Sequence, residues 1–221
     1  MRYPTVAPSV LSLDFSRLEE ELDRMRDAGV ELLHYDVMDG HFTPWISFGE
    51  HLFKFFTGRG FRTDVHLMVL NPLSHLKNFL DLGADQVTVH LEALEDPQKF
   101  LKEIEPYRGG KVIGVAINPE TPIDEKTLNS IRGFDKVMIM SVHPGRSGQS
   151  FIEGSQGRIR AIKKFSEREH LNLLIEVDGG INNLAGPSCL EAGADILVSG
   201  NYLCKAEEPK KAIEQILGKT N

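Results

Sequence analysis

The sequence predicts an α/β fold: one domain over residues 1–221, built as a (β/α)8 barrel. Three observations carry that expectation. Short apolar segments alternate with segments of helical periodicity about eight times, and no shift in composition marks a domain boundary. Strict alternation implies a parallel sheet, and strands rich in Val, Ile and Leu suit a sheet covered on both faces. Ala-Gly-Val, Leu-Gly-Ala-Asp and Ala-Gly-Ala-Asp turns recur before the second, fourth and eighth strands, as helix-to-strand turns of such a barrel do. The competing architecture is a doubly wound open sheet. It wants a glycine-rich dinucleotide loop after the first strand, and Ser9-Val10-Leu11-Ser12 is not one.

The elements follow in order. Val6 to Leu11 reads as the first strand, with Ser9 near its end. Ser12 is placed to cap a helix whose Phe15, Leu18, Leu22 and Met25 fall at helical spacing. Glu31 to Val37 is the second strand, Gly40 to Ser47 a loop, and Phe48 to Phe56 a short helix. Phe61 to Met68 is the third strand. Asn71-Pro72 opens a helix to about Leu82, with proline where its missing donor costs nothing. Gln86 to His90, Lys111 to Ile117 and Lys136 to Met140 are strands four to six, separated by helices over Pro97 to Ile104 and Asp124 to Ile131. His143 to Ser150 is a polar loop before a helix from about Gly154 to Glu167. Leu173 to Val177 is strand seven, Asn182 to Glu191 helical, Ile196 to Ser199 strand eight, and Pro209 to Leu217 a last helix.

Composition bounds the function. The chain has 221 residues, 41% hydrophobic and 26% charged, with a net charge of -7. That balance argues against nucleic acid or a membrane surface as partner, yet leaves room for a small anion held by backbone N–H groups. Cys189 and Cys204 do not make a disulfide framework, so a reduced, cytoplasmic setting is expected. The N-terminal residues lack the apolar run of a signal peptide, and no segment approaches the length of a membrane span.

The chemistry is expected at the C-terminal strand ends. Read as a strand, His34-Tyr35-Asp36-Val37-Met38 turns His34, Asp36 and Met38 to one face. Asp64-Val65-His66-Leu67-Met68 and Glu176-Val177-Asp178-Gly179-Gly180 are segments of the same kind. His34, Asp36, His66 and Asp178 at one level could enclose one divalent ion. Mixed imidazole and carboxylate ligands suit Zn, Mn, Fe or Co without choosing among them. The bland alternative is a rim of separately hydrogen-bonded polar residues. His90 and Glu92 read as rim residues or supports rather than ligands. Met38, Met68 and Met140 each end a strand, either filling core or forming a polarizable wall around a reacting centre. Gly145 to Gly148, Gly179-Gly180 and Gly200-Asn201 either make ordinary turns or bring backbone N–H groups up to a phosphate.

These segments resemble a known family. Ala7 to Ser12, His34 to Phe42, Asp64 to Met68, Pro144 to Gln149 and Glu176 to Gly180 are similar to ribulose-phosphate 3-epimerases, over about Val6 to Leu203. The resemblance implies a metal-dependent TIM barrel that inverts C3 of a ketose phosphate, interconverting ribulose 5-phosphate and xylulose 5-phosphate. It implies His34, Asp36, His66 and Asp178 as metal ligands and Asp36 and Asp178 as the acid/base pair. It further matches Ser9 and the three methionines to family positions at the substrate; His66 and the loop residues Gly145, Gly148, Gly179, Gly180, Gly200 and Asn201 complete the expected substrate contacts. A homo-oligomer is expected. The family pattern breaks at Thr43 and Trp45 after strand two, at Arg146 and Ser147 after strand six, and at Asn201 after strand eight. Those departures keep a hexulose phosphate, as in allulose 6-phosphate epimerases, as a close alternative. Related barrels that decarboxylate or condense sugar phosphates carry a lysine where this chain has Met38. A non-catalytic sugar-phosphate-binding barrel is the remaining alternative, disfavoured by the intact pair Asp36 and Asp178.

Overall fold

The eight strands are β1 (Thr5–Pro8), β2 (Leu32–Met38), β3 (Arg62–Met68), β4 (Gln86–His90), β5 (Val112–Ile117), β6 (Lys136–Met140), β7 (Leu174–Asp178) and β8 (Ile196–Ser199). The structure is a computed structural model and describes residues 3–219. All strand pairings are parallel, in the order β1-β8-β7-β6-β5-β4-β3-β2. A parallel bridge between Ser9 and His34 brings the two ends of that order together, so the sheet closes into a barrel. The helices packed outside are α1 (Leu18–Asp27), α2 (Glu50–Phe56), α3 (Pro72–Asp81), α4 (Pro97–Ile104), α5 (Glu125–Ser130), α6 (Ser155–Arg168), α7 (Ala185–Ala192), α8 (Asn201–Cys204) and α9 (Pro209–Ile216).

The period of two within each strand sorts the side chains. Outward positions such as Tyr35, Val37, Val65, Val87, Ile139 and Val177 join the main core with the helices. Inward apolar positions form two small clusters, Ala7, Leu32, Ile196 and Val198 at one side and Ala116, Met138, Met140 and Val142 at another. The helix-to-strand turns do more than reverse the chain. Asp85, Asp135 and Asp195 each accept a hydrogen bond from a backbone amide of the preceding strand, at Thr63, Ile113 and Ile175. Each aspartate thereby pins the register of two neighbouring strands, β3 with β4, β5 with β6 and β7 with β8.

The N-terminal elements differ from expectation. β1 ends at Pro8, and Val10–Ser12 is a 3-10 turn. Val10 is apolar because it is buried in that turn. Ser12 does not cap a helix; its hydroxyl meets Ser147 Oγ at 2.7 Å. Asp14 does the capping, accepting from the Ser16 amide at the head of a second 3-10 turn, Phe15–Arg17, which leads into α1. After β8 the chain turns directly into α8, where no helix was expected. Among the described residues no helix is long and apolar enough to cross a membrane.

Candidate active site

Alternation along the strands brings the polar residues together. The inward face of β2 carries His34, Asp36 and Met38; that of β3 carries Asp64, His66 and Met68. Register sets Asp36 beside His66, Met38 beside Met68, and Met140 beside Asp178. Four of these residues offer ligand atoms that all lie within 4.8 Å of one another: His34, Asp36, His66 and Asp178. His34 Nε2 stands 3.4 Å from Asp36 Oδ1 and 4.0 Å from Asp178 Oδ2. His66 Nδ1 stands 3.2 Å from Asp36 Oδ1 and 3.7 Å from Asp178 Oδ2.

The donor set fits a divalent cation. His34 Nε2 is fully buried and has no hydrogen-bond partner; a bare ring nitrogen aimed at two carboxylates is what a cation would satisfy. The opposite edges of both rings are already engaged. His34 Nδ1 lies 2.9 Å from Asp64 Oδ2. His66 Nε2 lies 2.8 Å from His90 Nε2, and His90 Nδ1 lies 3.3 Å from Glu92 Oε2. With His90 donating to Glu92, His66 donates from Nε2 and keeps Nδ1 free. Such outer partners fix the tautomer and orientation of metal-binding histidines. Ser9 Oγ donates to Asp36 Oδ2 at 2.7 Å, leaving Oδ1 for the cluster.

The two aspartates are electrostatically unequal. Burial alone would raise Asp36, but the His34 and His66 rings outweigh it and hold the carboxyl below the usual range. Asp178 is pushed up to about 7, first by burial; the His34 charge opposes this, and the charges of Asp36 and Asp64 add to it. Burial pulls His34 down, yet Asp36 and Asp64 together carry it well above an ordinary imidazole. Burial keeps His66 below its usual value, and brings His90 down to about 4.

Below this cluster lies a charged layer that the sequence reading missed. Lys136, Asp64 and Glu176 are all 0% exposed inside the barrel. Lys136 Nζ is 2.5 Å from Asp64 Oδ1 and 2.5 Å from Glu176 Oε2, and it donates to Gln86 Oε1 at 3.0 Å. Breaking one partner out of such a buried set costs roughly 3–5 kcal/mol. A signal existed: Lys136, Met138 and Met140 share one strand face, so a lysine at the head of β6 points where the methionines point.

Above the cluster a cavity of about 380 Å³ opens at the barrel mouth. Ser9, Asp36, Asp178, Met38, Met68 and Met140 form its floor and walls, and the loop residues Gly145, Gly148, Gly179, Gly180, Gly200 and Asn201 form its other side. His34 and His66 do not open onto it; they stand behind the carboxylates, fully buried. Of the residues that break the family pattern, Arg146, Ser147 and Asn201 line the cavity. Trp45 does not; its ring packs on Gly145, where an added Cβ would meet Trp45 Cδ1 at 2.9 Å, and Arg146 lies 5.4 Å from the ring. The sequence reading overlooked Leu11, Val142, Gln149, Asn182 and Tyr202 among the lining residues. Val142 packs so closely on Gly179 that a Cβ there would sit 2.4 Å away. Gln149 donates to the His143 and Arg146 carbonyls and so shapes the loop from within.

The fold and site define a parallel barrel enzyme with paired carboxylates at its mouth. Comparison with known proteins narrows this. A family model described as "Ribulose-phosphate 3 epimerase family" matches residues 5–204. The chain is 37% identical over 217 residues to ribulose-phosphate 3-epimerase of Bacillus subtilis (strain 168), covering 96% of this chain and 98% of that one. It is 39% identical over 211 residues to the protein of the same name from Synechocystis sp. (strain ATCC 27184 / PCC 6803 / Kazusa), covering 94% and 90%. Solved structures share the fold at lower identity. A 3-hexulose-6-phosphate synthase superposes with a TM-score of 0.69 at 14% identity, over 98% of this chain and 100% of that one. A tryptophan synthase α-subunit from Pyrococcus furiosus gives 0.66 at 18%, over 98% and 99%. The chain belongs to the ribulose-phosphate 3-epimerase family and is an isomerase of the epimerase type.

Proposed function

We propose that this protein is a divalent-metal-dependent 3-epimerase of a ketose phosphate and interconverts D-ribulose 5-phosphate and D-xylulose 5-phosphate. The observation that carries the reading is the pair Asp36 and Asp178: both open onto one cavity, from β2 and β7, within a four-residue cluster that suits a cation. The substrate comes from the names of the relatives, and the reaction type from the chemistry the pair can perform.

A C–H beside a carbonyl is a weak acid, and inverting its carbon requires removing the proton on one face and returning one on the other. Two carboxylates, one ionised and one protonated, can do this without a redox cofactor. A cation held by His34, Asp36, His66 and Asp178 would supply electrostatic stabilisation of the enediolate oxygens. In this reading Asp36 and Asp178 exchange the acid and base roles with the direction of reaction. Ser9 orients Asp36, and Met38, Met68 and Met140 exclude water from the reacting carbon. Backbone N–H groups around Gly145 to Gly148, Gly179-Gly180 and Gly200-Asn201 hold the phosphate. The enzyme acts in the cytoplasm as a homo-oligomer.

A hexulose phosphate is the second reading, favoured by Arg146 and Ser147 in the cavity wall. Solvent-deuterium incorporation at C3, measured across a panel of pentulose and hexulose phosphates with metal content determined on the same sample, separates the two. Incorporation into the pentulose phosphates with one bound divalent ion is the expected result. No incorporation into any ketose phosphate by metal-loaded protein would overturn the reaction type.

A further inference from the structure

We propose that Lys136 is a positioning residue for the cation site: its ammonium anchors Asp64, Asp64 fixes the His34 ring, and the ring thereby presents Nε2 to the cation. The inference rests on the reading of His34 as a ligand.

The geometry forms an unbroken chain across the barrel. Lys136 enters from β6, reaches Asp64 on β3, and touches Gln86 on β4 and Glu176 on β7 on the way. Space for it is made by Gly114 on β5, where a Cβ would meet Lys136 Cε at 2.9 Å. Asp64 is held at both oxygens, Oδ1 by Lys136 and Oδ2 by His34 Nδ1. A carboxylate gripped at two ends cannot rotate, so the direction of its bond to His34 is set by Lys136.

Without the ammonium two things change. Asp64 Oδ1 loses its ammonium partner, and Asp64 Oδ2 and Glu176 Oε1, 2.9 and 3.7 Å from His34 Nδ1, are no longer tied to one common group that fixes which of them takes the N–H. The ring then loses its single orientation, and Nε2 its aim. A lysine that only balanced buried charge would matter for folding and not for the direction of one imidazole edge. Lys136 touches none of the four candidate ligands directly, so any effect on the cation travels through Asp64 and Glu176.

The test is zinc affinity of the full-length wild type and Lys136→Met, by competition with a chromophoric chelator, on samples whose near-ultraviolet circular dichroism shows native packing. Loss of a direct partner of a ligating histidine typically weakens metal binding about 10- to 100-fold; Lys136 acts one residue further out, so a smaller loss, still well above twofold, is expected here. Lys136→Gln keeps a donor for Asp64 and should recover part of the affinity. Zinc affinity in Lys136→Met within twofold of wild type overturns the proposal, whatever happens to the melting temperature. Should neither variant fold, long-range proton–nitrogen NMR of the zinc-loaded wild type decides. Zinc on His34 Nε2 with a proton retained on Nδ1 supports the chain; zinc on Nδ1 overturns it. Wild type that binds no zinc would instead sink the reading of His34 as a ligand and the inference with it.

Discussion

His66 and His90 meet edge to edge inside the barrel, Nε2 to Nε2 at 2.8 Å, with ring centroids 4.9 Å apart. Only one of the two nitrogens can carry the proton. With the His90 proton on Nδ1 toward Glu92, His90 accepts from His66, and this is the arrangement that leaves His66 Nδ1, 3.2 Å from Asp36 Oδ1, open to a cation. His66 therefore faces the cluster with an unprotonated Nδ1, whereas His34 faces it with Nε2. His90→Phe keeps the ring and its packing on Phe42 but removes the acceptor. Zinc binding is expected to weaken by about tenfold or more, read by calorimetry. His66→Ala should lose most bound metal outright; unchanged stoichiometry in that variant would refute the ligand assignment.

Metal affinity should depend on pH in a direction that the site dictates. Asp178 is raised to about 7 and His34 well above its usual value, so in the metal-free site both groups take up protons more readily than ordinary side chains of their kind. A cation must displace them. Binding therefore strengthens as pH climbs through about 7 and weakens below it, by up to about tenfold per pH unit for each proton displaced. Zinc dissociation constants measured between pH 6 and pH 8, with proton release followed in two buffers, check both the sign and the count. A flat profile would mean that Asp178 and His34 are not ligands.

The proposed phosphate subsite can be probed with one carboxylate, and the choice of position matters. Gly180 is unsuitable: its φ is 66°, and an added Cβ would meet the Phe151 backbone nitrogen at 2.4 Å. Gly200 is better, because the nearest atoms to an added Cβ are the Ser12 and Ser147 hydroxyls, at 2.7 and 3.0 Å, and these can turn away. Gly200→Asp places a negative charge among the lining residues of the loops after β6, β7 and β8. The expected outcome is a KM for the phosphorylated substrate raised about tenfold or more, since like charges brought together in a low-dielectric cleft repel strongly. An unaltered KM would place the phosphate elsewhere.

Trp45 and Arg146 touch across the mouth, joining the loop after β2 to the loop after β6. Trp45 also fills the space beside Gly145. Trp45→Asn combined with Arg146→Phe removes that contact and is expected to change the ratio of kcat/KM between pentulose and hexulose phosphates. A constant ratio in the double variant would show that these residues do not set the substrate's length.

Much of this was legible in the sequence, for identifiable reasons. Each strand mixes β-branched outward residues with a distinct inward set, so Val65 and Leu67 announce the strand while Asp64, His66 and Met68 announce the site. The barrel mouth was readable because polar residues crowd the C-terminal ends of β2, β3 and β7. The first helix was misread at its start because Ser12 and Asp14 are both competent caps; only the backbone path shows that Asp14 is used and Ser12 turns to Ser147. Lys136 is easily passed over because a lysine at a strand's first residue ordinarily faces water, and only the face it shares with Met138 and Met140 points it inward. Its partners Asp64 and Glu176 are 72 and 40 residues away, brought near only by closure of the barrel. Trp45 against Gly145 is a contact between loops, which no strand or helix periodicity encodes.

The proposed acid/base pair gives the sharpest test. Asp36 and Asp178 approach the cavity from β2 and β7, and their environments push them apart: Asp36 below the usual carboxylate range, Asp178 up to about 7. That inequality belongs to the cation-free site; a bound cation would lower Asp178 as well, so the roles are assigned by the half-reactions. Overall epimerisation should follow a bell-shaped pH profile, since one group must be ionised while the other is protonated. Asp36→Asn and Asp178→Asn each keep the side-chain volume and one oxygen for a cation but remove the base. Overall turnover should fall by about 10² to 10⁴-fold in each, the range typical of a lost proton-transfer group. The half-reactions then separate the roles. A variant that keeps the base facing one epimer should still exchange that epimer's C3 hydrogen with deuterated solvent while failing to invert the carbon. The two variants should therefore show opposite preferences, one exchanging the ribulose and the other the xylulose form. Metal content must be equal in both samples, because loss of a ligand would imitate loss of a base. Metal-loaded Asp178→Asn that inverts C3 at the wild-type rate would leave Asp36 as the single base and exclude the two-carboxylate mechanism.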